Sequence, residues 1–155
     1  MKIKLQNITP KTNSKYQGLE ISYYILILLT VINTARSLIH IFAADGGANT
    51  IASINTSVMG GSNIIAIFGQ WGSSQLIFAV LCWVIIIRYK FLTPLALLLL
   101  LLEQFLRYGS GLLKPIVSEY TPPGAISTMV LIPILILAFC YLWCQKIAKN
   151  NITSK

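Results

Sequence analysis

Apolar side chains fall in four long runs, and polar, glycine-rich or proline-rich stretches separate them. The runs cover residues 20–42 (EISYYILILLTVINTARSLIHIF), 63–87, 93–113 and 125–145. About 20 residues at a 1.5 Å rise cross the hydrocarbon of a bilayer, so each run is long enough to span one. The pattern predicts an all-α, integral membrane four-helix bundle over residues 19–146. Pro94 falls in the first turn of the third span, where a missing N–H costs little. Pro133 lies inside the fourth span and marks a candidate kink.

The intervening stretches set the organisation. Residues 1–18 are polar, carry four lysines, and read as a cytoplasmic tail. The loop 43–62 (AADGGANTIASINTSVMGGS) is built from small residues and has room for a short interfacial helix. Arg88-Tyr89-Lys90-Phe91 is a tight basic turn, and 114–124 (KPIVSEYTPPG) is a loop in which three prolines block a continuous helix. Residues 147–155 form a basic tail. The first apolar run is too long for the hydrophobic segment of a cleavable signal peptide, and it reads as a helix that stays.

Nine Lys and Arg residues sit in the two tails and the 88–90 turn, against Lys114 alone on the opposite side. The positive-inside rule then puts both termini in the cytoplasm. That topology suits a multi-pass protein of the prokaryotic cytoplasmic membrane. The N-x-S/T pattern at Asn7, Asn55 and Asn151 is too common to carry weight, and only Asn55 would face outward.

Composition agrees with the pattern. Apolar residues make up 55% of the 155, mean hydropathy is +0.73, and 10% are charged. A soluble domain carries about 25% charge, and so short a chain cannot hide this much apolar surface in one core. The net charge of +8 does not indicate nucleic acid, because the basic residues sit at the ends and in one turn. It suits an anionic membrane surface, at roughly 1 kcal/mol per basic residue. Cys82, Cys140 and Cys144 lie in apolar runs without metal or redox spacing, and read as buried small residues. Cys140 and Cys144 share a helix face, which leaves a redox or metal pair as the alternative. No nucleophile elbow, phosphate loop or zinc-protease motif is present, and one histidine cannot ligate a haem twice or build a di-iron site.

Charges inside the spans are the informative residues. A charge at the bilayer centre costs ~3 kcal/mol on insertion scales, so it finds a partner or a wet cavity. Glu103 lies near the middle of the third span, and Arg107 follows one turn later on the same face. The plain reading is a self-neutralising ion pair. With alternating span directions, Arg36 and His40 occupy the outer third of the first span, and Gln70 and Gln75 the outer half of the second. These six residues can meet in one pocket open toward the outer leaflet. Two arginines and one glutamate make it net positive, before Asp45 of the nearby loop is counted. It suits an anionic or strongly hydrogen-bonding ligand. The plain alternatives are a snorkelling Arg36, an inert interfacial His40, and glutamines (Gln104 included) that bond between helices.

The segment ARSLIHIFAADGG from Ala35 to Gly47, the sequence GQWG at 69–72, the basic turn, and RYGSG at 107–111 together resemble the DoxX-like group of small four-helix membrane proteins. The resemblance covers residues 30–113 and singles out Arg36 and Arg107. It implies a subunit of a membrane redox complex, with quinone as the implied cofactor. The residues themselves favour a non-catalytic subunit or a binder of lipid or small anions, with no cofactor and no metal. A transporter or channel element is a further alternative. Partners would be the bilayer, other membrane subunits or further copies of the chain.

Overall fold

The computed structural model describes residues 16, 18 and 20–153, with side chains through residue 139. The polar tail expected over 1–18 therefore lies almost wholly outside the described residues, as do the side chains of Cys140, Cys144, Lys146 and Lys149. The described residues form four α-helices and no strand. These are α1 (Glu20–Phe42), α2 (Gly61–Arg88), α3 (Thr93–Leu113) and α4 (Pro123–Thr153). A 3-10 turn, Lys90–Leu92, leads into α3. Three of the helical segments, Glu20–Phe42, Gly61–Arg88 and Lys90–Leu113, are long and apolar enough to cross a membrane.

Apart from shifts of one or two residues at helix ends, the structure differs from the expected pattern in two places. The fourth helix continues past residue 145 to Thr153, because QKIAKNNIT contains neither proline nor glycine to stop it. The short interfacial helix expected in the 43–62 loop does not form. Residues 44–52 are turns instead, with bonds such as Ile51 N–H to the Gly47 carbonyl (3.2 Å) and Ile54 N–H to that of Ala48 (2.9 Å). The Asp45 carboxylate organises this loop. It accepts from the backbone N–H groups of Gly47, Asn49 and Thr50 at 2.7–3.0 Å, and these bonds hold its pKa down at about 2. Each such amide favours the charged carboxylate, and together they replace the repeating helical bonds of this segment.

The helices pack as two hairpins. α1 lies along α2, α3 lies along α4, and α1–α3 contacts join the pairs. At the end bearing the 89–92 turn, Lys90 pairs with Glu20 at 2.7 Å, and the Tyr23 hydroxyl donates to the Ile86 carbonyl at 3.1 Å. At the other end Glu119 N–H donates to the Ser53 carbonyl at 3.0 Å, which ties the 114–122 loop to the 43–60 loop. The core between the hairpins holds Leu26, Cys82, Ile85, Leu97, Leu100 and Leu135.

The outward faces carry many large apolar side chains. Leu28, Ile77, Ile87 and Leu106 are each at least 60% exposed. Monomeric soluble proteins rarely expose continuous apolar surface of this extent. Lipid removes the cost, since the same side chains then face an apolar solvent.

Candidate functional site

Near the loop end, α1 and α2 approach closely because residue 72 is glycine. A β-carbon there would lie 2.6 Å from His40 Cβ and 3.0 Å from the Ser37 carbonyl oxygen. The crossing brings Trp71 of α2 against α1. Its indole stacks on the His40 ring (centroids 4.9 Å apart), and the Arg36 guanidinium lies 5.5 Å from the indole centroid. Arg107 of α3 lies 5.2 Å from the same indole. Cations over an indole face gain from its quadrupole, more so away from water.

Gln75, one turn beyond Trp71, is the hub. In the amide orientation that its neighbours require, its oxygen accepts from Arg36 Nη2 (2.7 Å), Arg107 Nη2 (3.1 Å) and Trp71 Nε1 (3.3 Å). Arg107 also forms an ion pair with Glu103 through Nη2, and its Nε donates to the same carboxylate oxygen at 3.2 Å. Gln104 Nε2 donates to the other Glu103 oxygen. The hydrogen-bond and ring partners of Arg36 are all neutral: Gln75, Trp71, and Asn33 Oδ1 at 3.3 Å. Glu103 thus answers Arg107, and no described carboxylate forms an ion pair with Arg36.

His40 is buried, and its Nδ1 lies 2.7 Å from the Gly46 carbonyl. A carbonyl only accepts, so Nδ1 carries a proton and donates it to this bond. Gly46 delivers that carbonyl from a left-handed conformation (φ +60°), with Phe68 Cβ 3.0 Å from where a side chain would begin. Two buried polar atoms here lack protein partners: His40 Nε2 and Gln104 Oε1.

Of the six residues singled out by sequence, Arg36, Gln75, Glu103 and Arg107 form one connected network, and His40 joins it through Trp71. Gln70 does not: it is exposed, and its backbone carbonyl accepts from the Ser74 hydroxyl at 3.2 Å. It lies five residues from Gln75, which on a helix is a different face. Gln104 bonds to its neighbour Glu103 rather than to another helix. Sequence reasoning missed Trp71 and Asn33. The signal was spacing: Trp71 stands at i, i+4 to Gln75, and Asn33 at i, i+3 to Arg36. Cys82 is buried in the core, and no group of three metal-ligating side chains occurs among the described residues.

A cavity of about 190 Å³ adjoins this network between α1, α3 and α4. Leu29, Leu100, Leu131 and Leu135 make its apolar wall, and Arg36, Asn33, Gln104 and Ser127 its polar end.

Comparison of the chain with protein-family models, with curated proteins and with solved structures finds no match.

Proposed function

We propose that the chain is a multi-pass membrane protein that binds an anionic ligand, a lipid headgroup or small oxyanion, without catalysing a reaction on it. One observation carries this reading: two guanidinium groups share one amide oxygen and one indole, while a single carboxylate answers only one of them. A half-buried guanidinium whose direct hydrogen-bond partners are all neutral is a site for an acceptor with negative charge. On this reading Arg36 and Arg107, which the DoxX-like resemblance also singles out, are the binding pair, and Gln75 and Trp71 hold them in place. The span directions follow from the basic residues, with the site in the outer half of the bundle and both termini cytoplasmic.

Native mass spectrometry from nanodiscs tests the reading. Discs of phosphatidylcholine with a minor share of phosphatidylglycerol or added fatty acid should yield protein that retains an acidic ligand. The variant Arg36→Gln should lose it while keeping its helical circular dichroism. Wild-type protein that emerges empty from every disc composition would overturn the proposal.

A further inference from the structure

The cavity beside the arginine network has a shape and a chemistry of its own. It lies between three helices: Leu29 and Ile32 come from α1, Leu100 from α3, and Leu131 and Leu135 from α4. Its polar residues all stand at one end. Arg36 brings guanidinium N–H groups beyond those it gives to Gln75 and Asn33. Asn33 uses its oxygen on Arg36, which leaves its amide nitrogen to donate. Gln104 is 5% exposed, and its Oε1 is a buried acceptor with no partner. A buried acceptor without a donor costs free energy until something supplies an O–H or N–H. The site therefore asks for a ligand head that accepts from a cation, and a donor on that head would also satisfy the amide oxygen.

The remaining wall asks for a hydrocarbon. A dry cavity of about 150 Å³ holds a benzene molecule. About 190 Å³ thus admits a compact head and the first few methylenes, but not a pair of acyl chains. The cavity also has a side opening. Ile32 and Val130 line it and are half exposed, and α1 and α4 make no extensive contact that would close the gap between them. Whatever enters can continue sideways over an apolar surface. Arg36 stands six residues before the end of α1, which is about 9 Å along the helix at 1.5 Å per residue. A bulky phosphodiester headgroup would have to be drawn that far below the end of the helix, whereas a carboxyl group fits there.

We infer that this groove binds a single-chain fatty acid. Its carboxyl group rests between Arg36, Asn33 and Gln104, and its chain runs past the leucine wall and out between α1 and α4. Ionised, as the Arg36 guanidinium favours, the carboxyl group accepts from Arg36 and Asn33 through its oxygens. Only the protonated acid would donate to Gln104 Oε1, so the charge, and not that acceptor, carries the binding. The inference rests on the proposed anion-binding role of Arg36 and names the ligand class for that site.

The test uses full-length protein in phosphatidylcholine nanodiscs with oleic acid labelled with ¹³C at the carboxyl carbon. Native mass spectrometry reads retention, and the ¹³C shift reads the carboxyl environment. Wild type should retain one oleic acid with a shifted carboxyl resonance. Val130→Trp, a change at the exposed rim, should fill the groove and weaken retention at least tenfold while circular dichroism and the arginine network persist. Ile32→Trp, on the opposite rim, should do the same and guards against a folding defect in the first variant. Retention unchanged in both rim variants would overturn the groove as the site, and the charged network would still stand if Arg36→Gln abolished that retention. Displacement of oleic acid by an equal amount of phosphatidylglycerol would overturn the fatty acid as the ligand class. Binding of oleic acid that survives Arg36→Gln would overturn both the groove assignment and the anion-binding role.

Discussion

At the scale of single residues, the bundle's polar chemistry depends on who answers whom. Glu103 accepts from Arg107 and Gln104, so Arg107→Leu leaves a carboxylate inside the bundle with one neutral donor. Removing one partner of a buried pair costs about 3–5 kcal/mol, whereas replacing both with apolar groups is often neutral. Glu103 is one-third exposed, so the lower end, about 3 kcal/mol, is the expected loss for Arg107→Leu. The double change Glu103→Leu with Arg107→Leu should cost less than either single change. Thermal unfolding in one detergent checks this, and equal losses in all three variants would contradict a paired role. Gln75→Leu removes an oxygen that three donors share, with an expected loss of about 1–3 kcal/mol. The pairing of Glu103 with Arg107 was legible because both sit on one helix at a fixed spacing. The hub at Gln75 was not, since a glutamine in an apolar run gives no hint of which of its faces meets two other helices. Gln70 shows the converse: it shares the half of α2 nearer the 43–60 loop with Gln75 but points elsewhere.

At the scale of elements, two glycines that look alike in sequence behave differently. Gly72 sits where α2 presses on α1, and an added methyl would lie 2.6 Å from His40 Cβ. Gly72→Ala should therefore push the helices apart and cost about 1–3 kcal/mol, as overpacking does. The shift would also loosen the stack of Trp71 on His40. A methyl added at Gly109 would meet nothing within 4 Å, so Gly109→Ala should gain from helix propensity, by up to about 1 kcal/mol. Paired melts of the two variants check the contrast. Each is one glycine in an apolar run, and only the path of the neighbouring helix separates them. The 43–60 loop adds a second case. Its small residues fit a short helix, yet the Asp45 carboxylate gathers the amides of Gly47, Asn49 and Thr50 and sets turns instead. Folding lowers the pKa of Asp45 from an ordinary value near 4 to about 2. A depressed acid stabilises above its unfolded pKa, and that contribution fades as pH falls from about 4 through about 2. Loop protection in amide exchange should follow that window, and Asp45→Asn should make it flat across the same range.

At the scale of the whole molecule, the outward apolar faces and the placement of charge make one statement about orientation. The helices expose isoleucine and leucine where a soluble bundle would expose charge. Arg88 and Lys90 stand at the end shared with Glu20, while the opposite end, with the 43–60 and 114–122 loops, carries Lys114 as its one basic residue. Four helices in two hairpins return the chain to the side on which α1 begins. A bilayer around them would therefore hold the 89–92 turn and the end of α4 on one side, and both loops on the other. Basic residues resist translocation, so on the proposed reading the first side is expected to face the cytoplasm. Cysteine labelling decides the matter in a background with Cys82, Cys140 and Cys144 replaced by serine. A membrane-impermeant maleimide added to intact cells should label Glu119→Cys and Ser57→Cys, both in the loops. It should reach Lys90→Cys and Lys149→Cys only after permeabilisation. The reverse pattern would turn the molecule over and move the arginine network to the cytoplasmic half. Labelling of Lys149→Cys from outside, with Lys90→Cys protected, would mean that α4 does not cross, and would leave the groove between α1, α3 and α4 without its third wall inside the bilayer.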